Sequence, residues 1–152
     1  MQEKIKLEIK NISPNPDPVY AKVGDSGMDL RAWLSEPIIL KSLERILIPT
    51  GIYINLPSGC EAQVRSRSGC ALKQALCVAN TPGTVDEPYV GHVQIIAINL
   101  SKEDIIIENG DRIAQLVVCP VYNSNYVDII IVDEINKVTD RGASGFGASG
   151  LK

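Results

Sequence analysis

Residues 93–119 read VQIIAINLSKEDIIIENGDRIAQLVVC. Three apolar runs lie in this stretch, Val93–Leu100, Ile105–Ile107 and Ile113–Cys119, parted by charged residues and by Asn109-Gly110. Short Ile- and Val-rich runs bounded by turn residues read as strands. Branched side chains pack well on a pleated surface, and Asn-Gly suits a tight reversal. The rhythm continues outward, through Ile38–Leu40, Arg45–Ile48, Ile52–Leu56, Ala62–Val64 and Leu76–Val78 upstream and Val127–Val132 downstream. Pro49, Pro57-Ser58-Gly59, Pro82-Gly83 and Pro120 punctuate it. Near the start, Ile5, Leu7 and Ile9 alternate with Lys4, Lys6 and Glu8, as in a half-buried strand. Asn11–Pro18, with three prolines, reads as a connector. The one helix candidate is Cys70–Leu76, about two turns long. The expected fold is all-β, a barrel or double-sheet roll.

Composition agrees. The chain has 152 residues, 45% hydrophobic and 22% charged, which suits a single globular domain. It holds 20 Ile and 13 Val against 12 Leu, with 12 Gly and 9 Pro for turns. A net charge of -3 and a pI near 5.2 argue against duplex nucleic acid as a partner, since phosphate-tracking surfaces are basic. No apolar run approaches the roughly 20 residues of a membrane span. The opening MQEKIKLEIK carries charges too regularly for a signal peptide, so the expected location is cytoplasmic. His92 is the single histidine, which excludes multi-histidine zinc sites. Cys60, Cys70, Cys77 and Cys119 form no C-x-x-C pair and read as small, reduced hydrophobes.

Several stretches carry chemistry. Arg67-Ser68-Gly69 precedes the helix candidate, so the Ser68 hydroxyl, the Gly69 amide and the first helical amides suit an anion, with Arg67 as a charged fork. It is also an ordinary turn and capping sequence. Asn80–Gly91 (NTPGTVDEPYVG) reads as a hairpin turning at Pro82-Gly83, leaving backbone groups for a ligand edge, with Asp86 and Tyr89 on the returning limb. In Gly110–Leu116 (GDRIAQL), Arg112 and Gln115 read by default as surface residues. Asp29 follows Gly27-Met28 and suits either a turn cap or the orientation of water around a cation. The tail Arg141–Gly150 (RGASGFGASG) has two readings. It is a frayed terminus, or a segment closing over a ligand with Phe146 for a flat ring and Arg141 for phosphate.

Taken together these stretches resemble the five ordered motifs of the trimeric deoxyuridine triphosphatase (dUTPase) family. Ala21–Ala32 (AKVGDSGMDLRA) resembles the first motif and Arg67–Ala71 the second. Asn80–Gly91 resembles the third, Gly110–Leu116 the fourth and Arg141–Gly150 the fifth. The departures are Asp25 and Ser26 before Gly27, Cys70 where the family has Leu, Val90 where Arg or Gln is common, and Ser144 for the usual glycine.

The resemblance implies a jelly-roll-like β-barrel over residues 1–138 and a flexible closing tail over 139–152. It implies hydrolysis of dUTP to dUMP and diphosphate with Mg²⁺, which limits uracil incorporation into DNA and supplies dUMP for dTMP synthesis. Asp86 is the implied general base. Arg67, Ser68, Gly69 and Gln115 would hold the phosphates, Arg141 would add charge, and Phe146 with Gly147 would cover uracil. Asn80, Gly83, Thr84 and Val85 would frame the base, and Tyr89 the sugar. Mg²⁺ would ride on phosphate oxygens, with Asp29 acting through water. The implied assembly is a homotrimer whose sites are shared between chains. Two alternatives are a dCTP deaminase relative and a non-catalytic nucleotide-binding module. The deaminase needs a glutamate in the strand after the third motif, and Val93–Leu100 has none.

Overall fold

The computed structural model describes residues 4–145. In chain order its elements are β1 (Glu8–Asn11), β2 (Gly27–Arg31), β3 (Ile38–Leu40), β4 (Arg45–Asn55) and β5 (Cys60–Ser66), then α1 (Ser68–Gln74), β6 (Leu76–Val78), β7 (Gly83–Val85), β8 (His92–Asn99), β9 (Ile105–Ile107) and β10 (Arg112–Pro120). The strands form two four-stranded sheets, ordered β1-β4-β8-β6 and β2-β10-β5-β7, and a β3-β9 ribbon. Every pairing is antiparallel. This is the all-β, jelly-roll-like barrel with one short helix that the sequence leads one to expect.

The core lies between the two large sheets. Val93, Ile95 and Ala97 of β8 alternate inward, as do Ala62 and Val64 of β5, and they join Met28, Leu30, Ile48, Leu116 and Ile107 in one cluster. Each such large side chain contributes about 1.5–3 kcal/mol on burial. Two buried polar groups are satisfied locally. Asn99 donates to the Leu40 and Glu103 carbonyls, and Thr50 donates to the Val93 carbonyl.

Four local expectations are corrected. Pro49 does not separate two strands. Arg45–Asn55 is one strand, and its register with β8 shifts between Pro49 and Ile52. A proline is tolerated inside a sheet where a bulge breaks the ladder. The helix begins at Ser68 rather than Cys70 and stops at Ala75, whose left-handed φ of 52° frees Leu76 to start β6. Asn80–Gly91 is not a paired hairpin. β6 belongs to the sheet of β8, and β7 pairs with β5, so the loop between them crosses from one sheet to the other. Val127–Val132 forms no strand, and Ile129, Ile130 and Ile131 stand exposed at 84%, 79% and 89%. This apolar run pairs with no strand among the described residues.

His92 fills the β4 bulge. Its Nε2 accepts the backbone N–H of Gly51 at 2.7 Å and of Thr50 at 3.2 Å. The ring stacks on Tyr53 at 5.2 Å and meets the Trp33 ring edge-on at 6.3 Å. Gly51 has φ +77°, and a Cβ there would sit 2.6 Å from Ser13 Cβ. An Nε2 that accepts two bonds belongs to a neutral ring protonated at Nδ1. Burial accordingly holds His92 below its ordinary 6.5. Below pH 6.5 the unfolded chain takes up a proton that the folded one refuses. His92 therefore contributes stability that is fully present above that pH and is lost as pH falls through its lower folded value. Denaturant midpoints should drop between pH 7.5 and 5.5, and His92→Gln should flatten that slope; equal slopes in both proteins would contradict it.

Candidate functional site

Two polar constellations stand at different places on the barrel. The first lies in the crossing loop. A cavity of about 210 Å³ is lined by Asn80, Thr84, Val85, Asp86 and Tyr89, with Leu47 and Ile96 of the neighbouring sheet as its apolar floor. It is smaller than the ~300–1,000 Å³ typical of drug-sized pockets and suits one ring with a sugar. Two glycines seat its side chains. Asn80 Nδ2 lies only 2.9 Å from where a Gly83 Cβ would be, and the Tyr89 ring lies 2.5 Å from a Cβ on Gly91. A larger residue at either position would push these side chains out of place. Tyr89 is fixed twice more, because its Oη donates to the His92 carbonyl at 3.0 Å and its N–H to the Asp86 carbonyl at 3.0 Å. Asp86 is exposed at the cavity mouth.

The second constellation joins β2, β10 and the start of α1. Arg67 Nε meets Asp29 Oδ1 at 2.8 Å, and Arg112 Nη1 meets Asp29 Oδ2 at 3.1 Å. Arg67 Nη1 also donates to the Arg112 carbonyl at 2.9 Å. Gln115 donates to the Ser66 carbonyl at 2.9 Å, and its Oε1 occupies the space that a Gly27 Cβ would need. Two guanidiniums share one carboxylate, so the cluster keeps a net positive charge suited to a polyanion. No side chain caps the N-terminus of α1, where Ser68 and Gly69 lie.

Asp29 thus serves first as an anchor for Arg67 and Arg112. Among the described residues no group of three or more His, Cys, Asp or Glu is placed to hold a metal. This donor set fits a cation that arrives on phosphates better than a resident centre, with Asp29 oxygens free to accept further bonds from its water shell.

Asp86 and Arg67 do not meet within one chain, although the loop touches the basic cluster at its near end, where Thr81 Oγ1 accepts the Ser66 N–H at 3.3 Å. Val85 pairs with Ala62, which puts Asp86 level with Glu61 at one end of β5, while Arg67 follows its other end. Six residues of strand separate them by about 20 Å. Arg141 is exposed in the tail, its Nε donating to the Ser144 carbonyl at 3.0 Å. Phe146 and Gly147 lie outside the described residues.

Three features escaped the sequence reading. Arg112 looked like a surface residue, but strand register brings it onto Asp29. His92 gave no signal beyond being solitary. Glu87 read as turn chemistry, and the structure gives it two long-range partners described below.

A barrel with a nucleoside-sized cavity and a separate basic cluster defines a class of nucleotide-handling proteins, and comparison with known proteins agrees. The dUTPase family profile matches residues 14–150. A deoxyuridine 5'-triphosphate nucleotidohydrolase of Finegoldia magna is 45% identical over 96% of this chain and 99% of its own. One of Treponema denticola is 50% identical over 88% and 90%. The structure of the Staphylococcus bacteriophage 80alpha dUTPase with dUPNHPP superposes with a TM-score of 0.82 at 27% identity, covering 97% of this chain and 100% of the phage chain. The chain belongs to the dUTPase family. It is an enzyme, and it hydrolyses dUTP.

Proposed function

We propose that this enzyme binds the uracil of dUTP in the cavity beside β8 and directs a water at the α-phosphorus. The carrying observation is the exposed Asp86 carboxylate at the mouth of a cavity that Asn80 and Tyr89 also line. Uracil offers acceptor–donor–acceptor along its pairing edge, which the Asn80 amide and the backbone from Gly83 to Val85 complement. Cytosine would leave buried groups unpaired, a mismatch worth about 10⁴ or more. A 5-methyl group would meet the loop wall. Asp86 takes a proton from the attacking water as the new P–O bond forms. The bond from the α-phosphorus to the bridging oxygen breaks, and diphosphate leaves. Asp29 would hold Mg²⁺ through water where the ion rides on the phosphates, and the ion would there supply charge neutralisation.

Arg67, with Ser68 and Gly69 after it, lies about 20 Å along β5 from Asp86 of the same chain, and Gln115 is tied to that cluster through the Ser66 carbonyl, so phosphates held there and at Asp86 call for two chains. A homotrimer resolves this, since three-fold symmetry brings the basic cluster of one chain to the cavity of the next. The exposed Ile129–Ile131 supports such an assembly, because a bare apolar segment of this kind calls for a partner surface. Residues 139–152 then close the site, Arg141 adding charge and Phe146 with Gly147 covering the base. The product dUMP feeds dTMP synthesis in the cytoplasm, and uracil is kept from DNA.

The test is a steady-state assay with dUTP, dCTP, dTTP and UTP, with Mg²⁺ or chelator, following diphosphate and ammonia separately. Diphosphate from dUTP alone is expected. Ammonia from dCTP would restore the deaminase reading, and binding without turnover the regulatory one. Tyr89 sets the sugar preference in this scheme, because its ring leaves no room for a 2′-hydroxyl. Tyr89→Ala should raise the kcat/KM for UTP relative to dUTP by about tenfold or more; an unchanged ratio would remove that role.

A further inference from the structure

The loop that carries Asp86 has little packing of its own. Asp86, Pro88, Tyr89 and Val90 are all exposed, and Asp86 borders a second cleft of about 570 Å³ as well as the nucleoside cavity. What holds the loop on this second side is Glu87. Its Oε2 accepts the backbone N–H of Gly59 at 3.0 Å and the side-chain N–H of Asn123 at 3.0 Å. The Gly59 N–H foremost, with help from Asn123 and Ser58, draws the Glu87 carboxyl below its ordinary range, so the acceptor is charged. Hydrogen bonds to a carboxylate are about twice as strong as neutral ones.

Both donors sit at a junction. Gly59 lies in the β4–β5 turn at φ +75°, its carbonyl accepts the Val121 N–H at 2.9 Å, and a Cβ there would meet the Tyr126 hydroxyl at 3.2 Å. Asn123 shapes the turn that follows β10. Its Oδ1 accepts the Asn125 N–H at 3.0 Å, and its carbonyl accepts those of Tyr126 and Val127 at 2.9 and 3.1 Å. The chain passes from this turn to the exposed Ile129–Ile131. One carboxylate therefore joins the catalytic loop, the β4–β5 turn and the root of the C-terminal arm.

We propose that Glu87 is a positioning residue: by tying its loop to Gly59 and Asn123, it fixes the Asp86 carboxylate for attack and links that geometry to the root of the arm. The proposal rests on Asp86 as general base. It is tested by dUTP kinetics and thermal melting of Glu87→Ala, Asn123→Ala, the double variant and Glu87→Gln, beside Asp86→Asn. A misplacement of about 1 Å at the reacting centre costs about 10²-fold, so kcat of Glu87→Ala should fall by about 10- to 100-fold. KM should change by no more than about twofold, since the base and phosphate contacts remain. Asn123→Ala should show the same pattern, and it carries the test alone if Glu87→Ala does not fold. The double variant should lose less than the product of the two single losses, because the Glu87–Asn123 contact is removed by both. Glu87→Gln keeps an oxygen acceptor and should recover most of the lost kcat. An unchanged kcat in Glu87→Ala, or losses that multiply in the double variant, would overturn the proposal. Those results beside an inactive Asp86→Asn remove only the role of Glu87, whereas an active Asp86→Asn removes the general-base reading on which it stands.

Discussion

Asp86→Asn is expected to remove turnover of dUTP by at least about 10²–10⁴-fold, the usual contribution of a positioned general base. Affinity for a non-hydrolysable dUTP analogue should persist. Asp86 is exposed and makes no side-chain hydrogen bond in the described structure, so the amide disturbs neither the loop nor the cavity. The Tyr89 N–H to Asp86 bond uses the main-chain carbonyl, which the substitution retains. Single-turnover rates and equilibrium binding on the same preparation separate the two effects. A variant with near-normal turnover would move the proton acceptor elsewhere. Glu87 is the only other carboxylate in the loop, and its Oε2 is already committed to Gly59 and Asn123.

The second large effect is recovery of activity from two inactive proteins. Asp86→Asn and Arg67→Ala, refolded together in equal amounts, should regain activity that neither has alone. If each site draws Asp86 and Arg67 from different chains, random mixing leaves about a quarter of the sites with both native groups. If both groups served from one chain, no mixture would contain an intact site. The roughly 20 Å along β5 is the reason to expect recovery. A mixture shown to contain mixed oligomers and still inactive would reject the shared site and leave the hydrolase untouched.

The strand rhythm was legible because it depends on short-range pattern. Ile38–Leu40, Leu76–Val78 and Ile105–Ile107 occur as strands with the bounds that their apolar runs suggested. The reading failed where long-range contacts outweigh local ones. Pro49 looks like a break, but the His92 imidazole satisfies the two backbone donors that the bulge exposes and keeps the strand whole. Val127–Val132 looks like a strand, but a strand needs a neighbour, and it pairs with none among the described residues. The motifs of the site were likewise visible as short strings, since each is contiguous. Their grouping was not, because the registers of β10 with β2 and β5 and of β7 with β5 decide which motif faces which.

The amino-acid sequence by itself determined the all-β class, the positions of most turns and the residue types available for chemistry. Periodicity, turn propensity and functional groups are properties of a few neighbouring residues. Only the tertiary structure decided that Asp29 anchors Arg67 and Arg112, that Gly83 and Gly91 make room for Asn80 and Tyr89, and that Glu87 clasps Gly59 and Asn123. Each of these joins residues from different segments of the chain, up to 83 positions apart for Asp29 and Arg112. Such pairs become neighbours only when the sheets close and fix the register, which no local pattern encodes.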